Sequence, residues 1–100
     1  MHLEIRAGNV ELADAMRLHL ERRLRFALGR FDDRIRKVTV RLKDLNGPKG
    51  GTDQQCRISL DLIPKGKLIL DEQSADVVVA MDRAADRVGR AVARRMHRNR

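Results

Sequence analysis

Aromatic side chains are scarce: Phe26 and Phe31 stand alone, with no Trp and no Tyr in 100 residues. Readers of single strands stack splayed bases on aromatic platforms, so this scarcity argues against that class. It argues equally against a membrane-surface helix, which anchors through bulky interfacial side chains. The one cysteine, Cys56, has no partner for an internal disulfide and fits a reducing, cytoplasmic compartment. No apolar run exceeds Val77 to Met81, far short of a membrane span or a signal peptide.

Positive charge, by contrast, is plentiful. Lys and Arg number 22 against 14 Asp and Glu, a formal +8. Such a balance speaks to partners rather than fold, and favours a polyanion such as nucleic acid. At this length one core, and one domain over residues 1–100, is expected.

Along the chain, His2 to Ala7 alternates as a short strand with Leu3, Ile5 and Ala7 on one side. Gly8 and Asn9 break it, and Asn9 is the expected N-cap of a helix running to about Leu28, with Gly29 at the C-cap. The apolar stripe of that helix is Leu12, Met16, Leu20, Leu24 and Ala27, while Leu18 and Phe26 lie off it. Phe31 to Arg34 reads as a turn. Strands follow over Lys37–Leu45, Gln55–Leu62 and Lys67–Asp71, with Val38, Val40, Leu42, Cys56, Ile58, Leu60, Leu62, Leu68 and Leu70 inward. Asn46 to Thr52 is a breaker-rich hairpin loop. Ser74 is the expected N-cap of a last helix from Ala75 onward, whose stripe is Val77, Met81, Ala84, Val88, Ala91 and Val92.

The order β-α-β-β-β-α defines an α+β domain. A helix between the first two strands requires a parallel pair, and short turns afterwards require an antiparallel meander. Strands apolar on one side only place both helices on one face of a four-stranded mixed sheet, an architecture like that of double-stranded-RNA-binding domains.

Catalytic constellations are missing. Gly66-Lys67 and the Gly47 to Thr52 stretch each feed a strand, so neither sets a phosphate against a helix N-terminus. His2, His19 and His97 are scattered without metal-ligand spacing, and Cys56 alternates inward as a small hydrophobe. Asp32 and Asp33 are adjacent in a turn and point apart. The sequence therefore predicts no enzyme, no metal, no cofactor, no small-molecule substrate and no membrane partner.

What remains is basic helix. Arg83, Arg87, Arg90, Arg94 and Arg98, spaced four, three, four and four, line one flank of the last helix beside its apolar stripe. Asp82 and Asp86 fall elsewhere on that helix. The first helix adds Arg17, Arg22, Arg23 and Arg25. Guanidinium forks grip phosphates, and two rows on one face of the sheet are expected to frame a cationic groove. A charge row is also what an ordinary solvated helix face looks like, so the rows alone name a polyanion and no more.

The opening LEIRAGNVELADAMR, the Arg30 to Ile35 turn and the closing SADVVVAMDRAADRVGRAVARR, in that order, resemble the ribosome hibernation-promoting factor and ribosome-associated inhibitor family over essentially the whole chain. The resemblance implies a ribosome-binding domain that sits on the small ribosomal subunit between head and body. There it would block the messenger and tRNA path and silence idle ribosomes. Carried over by position, contacts to ribosomal RNA fall on Arg17 and Arg23 and on Arg87, Arg90, Arg94 and Arg98. Arg22, Arg25 and Arg83 are available beside them. Residues 1–100 show no counterpart of the dimerising C-terminal domain of long members, so the resemblance does not decide between ribosome dimerisation and silencing of single ribosomes. The rival readings are a general double-stranded nucleic-acid-binding module, an RNA-processing enzyme and a module whose basic face meets an acidic protein.

Overall fold

The computed structural model describes residues 1–45 and 53–98, so the predicted hairpin loop Asn46 to Thr52 lies outside the described residues. The elements are β1 (His2–Arg6), α1 (Asp14–Leu28), a 3-10 turn (Gly29–Arg34), β2 (Ile35–Asp44), β3 (Gln54–Leu62), β4 (Lys67–Ser74) and α2 (Val77–Arg98). The strands lie in sequence order in one sheet, β1 parallel to β2 and the rest antiparallel. This is the predicted α+β architecture.

Register sets the core. Leu3, Val38, Leu60 and Leu68 form one cross-strand row, and Ile5, Val40, Ile58 and Leu70 the next. Leu20, Leu24 and Leu28 of α1 and Met81, Ala84, Ala85, Val88 and Val92 of α2 close over these rows with no exposed surface. Both helices therefore cover the same face, because only that face is apolar. The third row ends differently: Leu42 faces Cys56, and Cys56 faces Glu72, a carboxylate on the core side of the edge strand. Burial pushes the Cys56 thiol up to about 12, with the charges of Asp71 and Glu72 adding to the effect.

Several boundaries differ from those read in the sequence. Asn9 does not cap α1; its side-chain amide donates to the Asp44 carbonyl at 3.0 Å and its oxygen accepts from the Asp44 N–H at 2.9 Å. The entry loop is thus tied to the end of β2, and α1 begins only at Asp14. Gly8 makes that loop possible: its φ is 58°, and a β-carbon there would stand 2.9 Å from the Leu42 carbonyl. Gly29 is the C-cap of α1 as expected, in right-handed conformation (φ −57°), because the chain tightens straight into the 3-10 turn. β4 extends to Ser74, so the cap of α2 passes to Asp76, whose carboxylate accepts from the Val78 N–H at 2.8 Å.

Candidate nucleic-acid interface

The helix seam comes first, because it decides which cations remain available. Gly89 of α2 meets Ala27 of α1 so closely that a β-carbon on Gly89 would lie 3.1 Å from that of Ala27 and 3.2 Å from its carbonyl oxygen. Beside this contact, Arg23 of α1 donates to Asp86 of α2 at 2.8 Å and lies 3.5 Å from Asp82. His19 lies 2.7 Å from Asp82. The two acids of α2 therefore face α1 and neutralise it there. The expected cationic groove between two Arg rows does not form: the seam is packed shut by small residues and lined by opposite charges.

The α2 row sits on the far flank, over β4. Arg87 donates to the Asp71 carbonyl at 2.9 Å and pairs with the Glu72 carboxylate. Arg95, absent from the predicted row, reaches the Lys67 carbonyl at 3.4 Å. Both carbonyls belong to β4, the edge strand, so two guanidinium groups tie α2 to that strand. Nothing in the sequence marks Arg87 as different from its neighbours; the signal was Glu72, an acid at an inward position of an alternating strand.

Of the nine predicted contact residues, then, Arg23 and Arg87 are held within the fold and Arg17 is half-buried. Arg22, Arg25, Arg83, Arg90, Arg94 and Arg98 are exposed, and none pairs with another described residue. They form two strips, Arg22 and Arg25 on the outer side of α1, the other four along α2. Arg90 and Arg94, with Arg87, border a recess floored by Leu68, Ile69 and Leu70. Arg94 also opens onto a cleft of about 470 Å³ between the 3-10 turn and the end of α2, lined by Arg30, Phe31, Met96 and His97. Arg30 stacks over the Phe31 ring with its guanidinium carbon 4.7 Å from the centroid.

The opposite face of the sheet is a lattice of paired charges. Glu4 meets Lys37 at 2.9 Å and Arg6 at 3.2 Å, and Arg57 meets Asp71 at 2.7 Å. Hydrogen bonds from Lys37 and then Arg6 hold the Glu4 carboxyl down at about 2, and the Arg57 guanidinium likewise lowers Asp71. Arg41 and Lys43 of β2 are exposed there without a partner among the described residues. Among the described residues no group of three or more His, Cys, Asp or Glu is placed to hold a metal, and no helix is long and apolar enough to cross a membrane.

The model of the sigma-54 modulation protein / S30EA ribosomal protein family matches residues 3–100. The chain belongs to this family. It is the hibernation-promoting factor family that the opening, the turn and the last helix resemble. Among solved structures similar to this chain, the N-terminal domain of Thermus thermophilus Protein Y is 29% identical, with a TM-score of 0.74 over 94% of this chain and 98% of that chain. A ribosomal subunit interface protein from Coxiella burnetii shares the fold at 16% identity, with a TM-score of 0.79 over 97% and 99%. No curated protein sequence matches significantly.

Proposed function

We propose that this S30EA-family domain is a cytoplasmic translation silencer. It binds ribosomal RNA of the small subunit through phosphate contacts of its Arg-rich helices and occupies the messenger and tRNA path. The observation that carries this reading is the strip of Arg83, Arg90, Arg94 and Arg98, aligned along one rigid helix and engaged with no other described side chain. Each is an exposed planar fork, the form that matches phosphate oxygens two at a time. Family membership supports the ribosome as the polyanion, and steric occlusion requires no catalytic group.

The test is cell-free translation of a reporter beside pelleting of the protein with small subunits. Wild-type protein is expected to inhibit and to pellet. Replacing Arg83, Arg90 and Arg94 together by Gln should leave the fold intact and abolish both, since each charged contact contributes roughly 1.5–3 kcal/mol. A folded triple variant that still pellets and inhibits removes α2 from the interface. Equal binding to naked duplex RNA at the same salt would favour a general double-stranded binder instead.

A further inference from the structure

Phe26 stands 93% exposed near the end of α1, the most exposed large apolar side chain among the described residues. It contributes nothing to the core, because the helical repeat sets it on the side of α1 away from buried Leu20, Leu24 and Leu28. Arg22 lies one turn before it and Arg25 immediately beside it, both exposed and unpaired among the described residues. Leu18, one turn further back, is 45% exposed. An aromatic ring thus projects from a local field of positive charge.

We infer that Phe26 is a stacking platform for an unpaired RNA base, with Arg22 and Arg25 holding the phosphates on either side of that nucleotide. The chemistry is that of single-strand surfaces, where a ring takes the face of any base and guanidinium groups track the backbone. A base inside a duplex is covered on both faces by its neighbours, so the ring selects an unstacked nucleotide. A protein partner is disfavoured by size. One ring and a half-exposed leucine are too little apolar surface for an interface core, and cations crowd the patch where such a core is depleted of charge. This builds on the ribosomal RNA reading but adds a second contact, on the other helix and to a base rather than a phosphate. It also reverses what the scarcity of aromatics suggests: one aromatic is enough when it is fully presented.

The chain has no Trp or Tyr, so Phe26→Trp introduces a single indole reporter at the site. The full chain is titrated with a single-stranded oligouridylate and with duplex RNA of equal length at one salt concentration. The expected results are indole quenching by the single strand but not by the duplex, and single-strand affinity lowered roughly five- to hundredfold in Phe26→Ala, the span that loss of one stacked base predicts. Phe26→Leu, which keeps apolar bulk without a π-face, should fail as Phe26→Ala does. Thermal midpoints should match wild type throughout, since the ring touches no core. Unchanged single-strand affinity in Phe26→Ala, or full rescue by Phe26→Leu, overturns the inference; the latter outcome would mean that apolar bulk rather than a π-face meets the RNA. Because no ribosome is present, quenching by the single strand would stand even if the protein failed to pellet with small subunits, and that failure would count against the ribosomal reading alone.

Discussion

Arg87 of α2 is paired with Glu72 of β4, and the same guanidinium donates to the neighbouring Asp71 carbonyl. Glu72 is the one carboxylate on the core side of the edge strand, its side chain only 18% exposed. A residue that looks like one member of a phosphate-gripping row is therefore a clasp between helix and sheet.

This clasp separates Arg87 from its neighbours in a measurable way. Arg87→Gln should lower the thermal midpoint, with a stability loss of about 1 kcal/mol for a partly exposed pair and its carbonyl bond. Arg90→Gln and Arg94→Gln should leave the midpoint unchanged. In RNA binding the order should reverse. Each of the latter two should flatten the slope of log affinity against log salt by roughly 0.7–0.9, the signature of one fewer phosphate neutralised. Differential scanning calorimetry and a salt titration on the same three variants decide the matter, and equal behaviour would dissolve the distinction.

The helix seam makes a second prediction. Gly89→Val has no room against Ala27, so α2 must lift, and overpacking of this kind costs about 1–3 kcal/mol. The Arg23–Asp86 pair should loosen with it. Exchanging the two residues, Ala27→Gly with Gly89→Ala, moves one methyl across the seam and should retain more stability than Gly89→Val in urea melts.

Orientation of α2 is tested by comparing its two sides. Val88 has no exposed surface and Arg94 is exposed. Val88→Asp should unfold the domain, since an unpaired buried charge costs several kcal/mol, whereas Arg94→Ala should melt like wild type. Circular dichroism melts suffice, and comparable destabilisation by both would mean that α2 is rotated from this placement.

Acid sensitivity follows from Glu4. Its carboxyl is lowered from an ordinary 4.5 to about 2 in the folded state. The folded state therefore binds that proton less readily than the unfolded chain does. The stabilisation is present above pH 4.5 and is lost as pH falls through the folded value near 2. Glu4→Gln removes the titration, so the difference in stability between wild type and Glu4→Gln should shrink across that window while remaining constant above it. A difference that stays flat down to about pH 2 would show that the Lys37 and Arg6 contacts do not act on Glu4 in solution.

Much of this molecule is legible in one dimension. Strict alternation in β2 and β3 and the 3.6-residue stripe of α2 name the core, because period alone decides which side chains leave water. Element order then leaves one economical sheet, and the opening, the 3-10 turn and α2 carry the family. Capping is where local reading fails: Asn9 and Ser74 are both good N-cap types, but Asn9 is drawn off by the backbone of Asp44, thirty-five residues away, and Ser74 is taken into β4. The roles of the arginines needed the tertiary structure. Sequence places Arg23 and Arg87 in rows with Arg22 and Arg90, and nothing local tells them apart. Only packing brings Asp82 and Asp86 across the Gly89 contact to Arg23, and Glu72 beneath Arg87. Periodicity assigns each side chain a direction on its own helix. What stands in that direction is set by the partner element, and a charge is free for a ligand only when nothing of opposite sign stands there.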